Sequence, residues 1–161
     1  MAFFDDMMVA LKAYPETYVT LEIINVRGVG DVVNVNNEGT FKVKLTNNGP
    51  LNLTGVTVRI DGVNGTTVKD NNILAQFESE FVWDNQGGER PTINGHGELT
   101  VPMNIEPFGF KAPATPSQEE ETLIKATLEF WDGDISHIMN NHSDPHLDVP
   151  KGTYSAKVKR S

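Results

Sequence analysis

The sequence of 161 residues contains no cysteine, which excludes disulfide bonds, thiolate nucleophiles and cysteine-ligated zinc. It also lacks long hydrophobic runs: none approaches the roughly 18 apolar residues of a membrane-spanning helix, so we expect no membrane insertion. The first residues do not form a signal peptide, because Asp5 and Asp6 replace its basic region and no long apolar core follows. The chain must therefore fold without covalent cross-links.

Basic residues are scarce as well. The 13 lysines and arginines stand against 22 acidic residues, which gives a formal net charge of −9. Binding to nucleic-acid phosphates requires a basic face, and only Lys157, Lys159 and Arg160 at the end of the chain form a basic group. We expect no nucleic-acid partner. An acidic surface suits a cation, a basic protein or plain solubility.

Catalytic motifs are also missing. No Gly-x-Ser-x-Gly elbow is present, and Gly28 and Gly30 are not followed by the Lys-Ser/Thr pair of a phosphate-binding loop. The neighbouring carboxylates of Glu119 and Glu121 fall in a loop segment that fixes no acid–base geometry. The sequence therefore does not predict an enzyme.

The most informative pattern that is present covers residues 39–62. Two runs alternate between apolar and polar residues, and an Asn-Asn-Gly-Pro turn separates them. Alternation with period two places one set on the core face of a strand and the other in water. The predicted core set is Phe41, Val43, Leu45, Val56, Val58 and Ile60, and the predicted solvent set is Lys42, Lys44, Thr57 and Arg59.

Similar alternation recurs along the rest of the chain. Further predicted strands lie in residues 19–23, 33–35, 66–69, 75–83, 99–105, 124–130 and 154–158. The turn signals between them predict an all-β fold, an immunoglobulin-like antiparallel sandwich of seven to nine strands, with a jelly roll as the alternative. We place this domain at residues 17–161, with a long polar insertion at 132–152.

The N-terminal segment, residues 1–16, has a helical pattern instead. One apolar stripe is formed by Phe3, Phe4, Met7, Met8 and Leu11. Pro15 ends the pattern, so the helix is expected over residues 1–14. The stripe either packs on its own sandwich or acts as an arm that binds a neighbouring subunit.

Residues 39–62 also resemble a known family, the cell-adhesion-related (CARDB-type) modules of bacterial and archaeal surface proteins. The matching residues are Gly39, Phe41, Val43, Leu45, Asn47, Gly49, Val56, Val58, Ile60 and Gly62. The resemblance implies an immunoglobulin-like fold without catalytic residues. It also favours a location outside the cell or at the cell surface.

Potential ligands of a metal ion gather in the polar insertion. The candidates are Asp132, Asp134, His137, His142, Asp144 and His146. Carboxylate and imidazole groups bind divalent cations, but the spacing matches no known template, and the same residues also suit ordinary turns. A divalent cation is the one cofactor that the sequence leaves open. Trp83 and Trp131, each at a strand end, either cap the core or form a stacking platform for a carbohydrate.

The sequence thus favours a non-enzymatic structural or protein-interaction module that assembles with itself, as a homo-oligomer, or with a partner protein. The alternative is a module that binds a divalent cation or a carbohydrate at residues 132–148.

The metal hypothesis can be tested by thermal unfolding. If a divalent ion binds residues 132–148, a chelator should lower the melting temperature and the ion should restore it by mass action. Histidine ligands would make this effect fade below about pH 6, where imidazole protonates. Melting temperatures that respond to none of calcium, zinc, manganese or chelator would contradict the hypothesis.

Overall fold

The computed structural model of the protein describes residues 14–27, 32–71, 74–85, 89–103, 105–114, 120–132 and 151–159. These residues form one short helix, α1 (Tyr14–Tyr18), and ten strands. The strands are β1 (Val19–Arg27), β2 (Val32–Asn34), β3 (Glu38–Asn47), β4 (Thr54–Gly62), β5 (Thr67–Lys69), β6 (Glu80–Trp83), β7 (Glu98–Val101), β8 (Phe108–Lys111), β9 (Glu120–Asp132) and β10 (Lys151–Lys159). No helix in this described part is long and apolar enough to cross a membrane.

The strands form two five-stranded sheets, which confirms the predicted immunoglobulin-like sandwich with a short N-terminal helix. Sheet A has the order β1-β3-β8-β5, and β7 pairs with β3 beside β8. Sheet B has the order β2-β10-β9-β4-β6. All pairs are antiparallel except β2 with β10, which run parallel.

The core between the sheets contains the alternating residues of β3 and β4. The six apolar side chains predicted to be buried are all fully buried. Lys42, Lys44 and Arg59 face outward, as predicted. The prediction for Thr57 was wrong: it is buried, because the pairing of β4 with β9 shifts register on both sides of Thr57.

Aromatic rings form the centre of this core. The Phe41 ring lies 5.6 Å from the Phe108 ring and 6.1 Å from the Phe110 ring, measured between centroids. Phe81 meets Phe108 edge to face at 5.2 Å, and Phe110 lies 6.0 Å from Tyr154. Tilted and edge contacts at these distances are the favoured geometries of aromatic pairs. The cluster joins strands of both sheets.

Several segments differ from the predicted strands. β9 and β10 begin earlier than predicted, at Glu120 and Lys151, because they pair with each other there. β8 lies in a stretch without a predicted strand, because its four residues include a glycine and follow Pro107. The strand predicted over residues 99–105 ends at Val101, since Pro102 cannot donate to a ladder. The strand predicted over residues 75–83 is regular only from Glu80.

The two sheets come into contact along both long sides of the sandwich. On one side β1 crosses β10 at Gly152, where a Cβ atom would lie only 2.7 Å from the carbonyl oxygen of Leu21. On the other side the chain passes from sheet A to sheet B within two residues: Glu78 exchanges backbone hydrogen bonds with Val68, and Ser79 accepts one from Gly62. Both contacts join sheet A to sheet B.

One end of the sandwich is organised by the buried side chain of Asn47. Its Oδ1 accepts hydrogen bonds from the Tyr14 hydroxyl at 2.9 Å and from the Gly49 amide at 3.1 Å. Its Nδ2 donates to the Leu51 carbonyl at 2.6 Å and approaches the Ile93 carbonyl at 3.4 Å. Asn47 therefore connects α1, the turn after β3 and the segment before β7.

This arrangement fixes α1 on its own sandwich. Gly49 lies against the rings of Tyr14 and Tyr18, and a Cβ atom there would overlap the Tyr14 hydroxyl. Pro15, expected to end a helix, occupies the first turn of α1, where its missing N–H costs no hydrogen bond. The rest of the predicted helix lies outside the described residues.

The register of β3 can be tested by two neighbouring substitutions. Val43→Ala should lower the free energy of unfolding by about 1–3 kcal/mol, because a fully buried side chain is lost and leaves a cavity. Lys44→Ala removes only an outward, partly exposed ion pair with Glu98, so it should cost less than about 1 kcal/mol. Urea unfolding measures both values, and equal losses would contradict the register.

Candidate functional site

A row of four residues crosses the outer face of sheet A. Arg27 of β1 pairs with Thr40 of β3, Thr40 with Gly109 of β8, and Gly109 with Lys69 of β5. Adjacent strands are about 4.8 Å apart, so the backbones of Arg27 and Lys69 are separated by about 14 Å. The cationic side chains of Arg27 and Lys69 therefore lie on either side of two small residues on the outer face of the sheet.

The glycine in this row determines how Lys69 lies. A Cβ atom at Gly109 would meet the Cγ and Cε atoms of Lys69 at 3.1 Å. Since glycine has no Cβ, the lysine chain can lie across the strand, with its Nζ 5.0 Å from the centre of the Phe77 ring. Lys69 therefore covers one face of the Phe77 ring and lies along one side of the row.

A groove of about 600 Å³ lies over this row. Its walls include Glu38, Asp70, Phe77 and Glu106. Neither Arg27 nor Glu38 forms an ion pair with any residue that the structure describes. The groove thus offers charges of both signs next to an aromatic ring, in a volume typical of binding sites.

Asp70 is the buried acid of the groove, with 8% of its surface exposed. Burial raises the pKa of its carboxyl group above the ordinary value. The Asn71 amide, which donates to Oδ1 at 2.6 Å, opposes this rise, and the charge of Asp84 adds to it. The carboxylate form is therefore costly in the folded protein.

Large exposed apolar side chains lie close in the chain to residues of the groove. Leu74 is 84% exposed and lies between the groove residues Asn71 and Phe77 in the chain. Met103 and Ile105, which are 56% and 92% exposed, directly precede the groove residue Glu106. We call Leu74, Met103 and Ile105 the apolar border. Met103 and Ile105 belong to the strand predicted over residues 99–105, but they lie beyond its observed end at Val101.

The predicted arm residues Phe3, Phe4, Met7, Met8 and Leu11 all lie outside the described residues. What the structure describes is the end of that segment. Tyr14 is buried against the turn after β3, while Tyr18 and Leu51 beside it remain partly exposed. Helix α1 therefore lies at the Asn47 end of the sandwich.

The predicted metal ligands are also largely outside the described residues. Asp132 ends β9, and the other five candidates, Asp134, His137, His142, Asp144 and His146, are not described. Within the described ranges, no three histidine, aspartate or glutamate side chains gather closely enough to hold a metal ion.

The burial of Trp83 argues against the carbohydrate platform. Trp83, one of its two proposed rings, is only 3% exposed and belongs to the core. A buried ring cannot stack on a sugar, so Trp83 follows the alternative in which it caps the core.

No family model and no curated protein sequence matches the chain. Among solved structures, the chain is similar to the CARDB domain of a Pyrococcus furiosus protein in complex with di-metal ions, with 18% identity, a TM-score of 0.43, and coverage of 89% of this chain and 94% of that one. It is also similar to the sporulation control protein Spo0M from Bacillus subtilis (11% identity, TM-score 0.46, 89% of this chain and 50% of that one). A third structure is AvmM, which catalyses macrocyclization in alchivemycin A biosynthesis (12% identity, TM-score 0.49, 89% and 90%).

The resemblance to CARDB domains predicted from residues 39–62 is thereby confirmed at the level of the fold. Identities this low carry no information about activity, ligands or partners.

The buried carboxyl group of Asp70 makes a testable contribution to the pH dependence of stability. Because its pKa is raised on folding, the folded state holds the proton more tightly, and stability falls as pH rises from the unfolded pKa to the folded pKa. Asp70→Asn removes this titration and keeps an oxygen that can accept from the Asn71 amide. The variant should therefore melt above the wild type at pH 7, and the difference should close below about pH 4.

Glu106→Gln is the matched control, because Glu106 lines the same groove but is exposed. Melting temperatures measured by circular dichroism across this pH range decide the matter. A difference between Asp70→Asn and the wild type that stays constant with pH would contradict the assignment.

Proposed function

We propose that the protein is a non-enzymatic module that assembles with a second copy of itself through the apolar border of the groove. The observation that supports this most is the exposure of Leu74, Met103 and Ile105 on two loops next to one groove. Isolated exposed apolar residues are common on soluble proteins, but several at the border of one concave surface are typical of an interaction site.

The sequence pattern supports the same surface. Leu99, Val101, Met103 and Ile105 alternate as if all four faced a core, yet only the first two lie on the inner face of a strand. Two of the four alternating apolar side chains in this segment are therefore not buried within the chain itself. A second protein surface would bury the remainder.

The charges of the groove suit a second copy. A two-fold contact brings the same patch of both copies together, so charges of both signs near the apolar border avoid a contact between like charges alone. Arg27 and Lys69 provide the positive groups, and Glu38 and Glu106 provide negative ones. This local mixture of charges opposes the mutual repulsion of two chains that each carry a formal charge of −9.

Other parts of the functional hypothesis stay predictions. They are the assembly arm in residues 1–16, a role in cell adhesion, the location outside the cell or at the cell surface, and the ligand site at residues 132–148. Each would be compatible with a module that assembles through the apolar border.

The proposal predicts a dimer that depends on Ile105. Burial of such a side chain is worth about 1.5–3 kcal/mol, so Ile105→Ser should raise the dimer dissociation constant by about tenfold or more. Because the side chain is exposed in the single chain, the melting temperature of the variant should stay close to that of the dilute wild type. Sedimentation equilibrium measures the dissociation constant.

Val82→Ser is the matched control, since Val82 is also an exposed apolar residue but lies on β6 of sheet B. It should leave the dissociation constant unchanged. A wild-type chain that sediments as a monomer at every concentration, or a dimer that Ile105→Ser does not weaken, would contradict the proposal.

A further inference from the structure

The outer edge of β7 presents backbone groups that the chain itself does not pair. In an antiparallel ladder, alternate residues direct their N–H and C=O groups to opposite sides. The Asn47 amide donates to the Gly97 carbonyl, so Leu99 and Val101 are the residues whose backbone groups face β3. Those of Glu98 and Thr100 point away from β3, and no described residue pairs with them.

β8, which lies next to β7 along β3, has a pairing strand on its outer side, whereas β7 has none in the described part of the chain. β8 pairs with the same strand β3, and its outward residues Gly109 and Lys111 are paired with β5. β5 has only three residues and pairs with β8, so it does not extend alongside β7. In the described part of sheet A, the position beside β7 is therefore empty.

The side chain of Leu99 is also only partly covered. It lies opposite Leu45 on the inner side of sheet A. Leu45 is fully buried, whereas Leu99 remains partly exposed although it faces inward. An additional strand beside β7 would cover it.

We propose that β7 pairs with β7 of a second copy, antiparallel about a two-fold axis at Leu99, so that sheet A continues from one copy into the other. This inference rests on the proposed self-assembly and specifies its geometry. In this register Glu98 lies opposite Thr100 of the second copy. The two outward residues of each strand then exchange four backbone hydrogen bonds, which satisfies all the outward groups of both residues.

The side chains fit this register. Leu99 lies opposite Leu99 of the second copy on the inner side, where each covers the other. Glu98 faces a threonine instead of another glutamate, so no like charges are opposed, and it keeps its ion pair with Lys44 at 3.2 Å. Met103 follows the strand by two residues, which brings the apolar border to the flank of the same contact.

One other edge is comparable. β6, at the end of sheet B, also has four residues and an exposed apolar side chain, Val82. The apolar border follows β7 and not β6, and this difference favours β7. The β6 edge therefore supplies the matched control.

Thr100→Pro tests the pairing, because proline removes the outward N–H and its ring occupies the position of the incoming strand. The dimer dissociation constant should rise by about tenfold or more. Val82→Pro, the same change on the outer edge of β6, should leave it unchanged. Sedimentation equilibrium measures both variants, and circular dichroism checks that both remain folded.

Amide hydrogen exchange on the wild type provides a second measurement that needs no variant. The Glu98 and Thr100 amides should be protected at concentrations where the dimer forms and should exchange rapidly after dilution to the monomer. Rapid exchange of both amides in the dimer would overturn the pairing.

The two proposals can fail separately. A dimer that Ile105→Ser weakens but Thr100→Pro does not would overturn the β7 pairing and leave assembly through the apolar border standing. A dimer that only Val82→Pro disrupts would also overturn the β7 pairing. A wild type that is always monomeric would overturn both.

Discussion

The side chain of Asn47 is completely buried at the end of β3, where an amide is stable only if other groups satisfy its hydrogen bonds. Those groups come from three separate segments: Tyr14 of α1, Leu51 in the turn after β3, and Ile93 before β7. Because each segment supplies a hydrogen-bond partner to this buried amide, its satisfaction favours the docking of all three. The position of the N-terminal helix and the entry into β7 are thus set by a single residue.

The candidate functional surfaces depend on the strand that Asn47 terminates. β3 pairs with β1 on one side, and on the other it pairs with β8 near its start and with β7 near its end. The first half carries the floor of the groove at Thr40, and the second half holds the open edge of β7. Fixing β3 therefore places the groove and the open edge at neighbouring positions of one sheet.

The sequence predicted the elements whose pattern is local. The alternation of β3 and β4 identified six fully buried core residues because each run has the length and period of a strand with one wet face. It could not identify β8, whose strand character depends on pairing with β3 and β5, nor the end of β7 at Val101. The groove was missed entirely, since Arg27, Thr40, Lys69 and Gly109 are neighbours only through strand register.

The directions of the first and last strands have a mechanical consequence. Val19 pairs with Asn47 at one end of β3, whereas Lys159 pairs with Asn34, close to the other end. Ten residues of β3 separate these ends by about 30 Å. Tension applied between Val19 and Lys159 would act along the strands. The β1–β3 and β2–β10 ladders would then be loaded in shear, where several hydrogen bonds must break together, and not peeled apart one at a time.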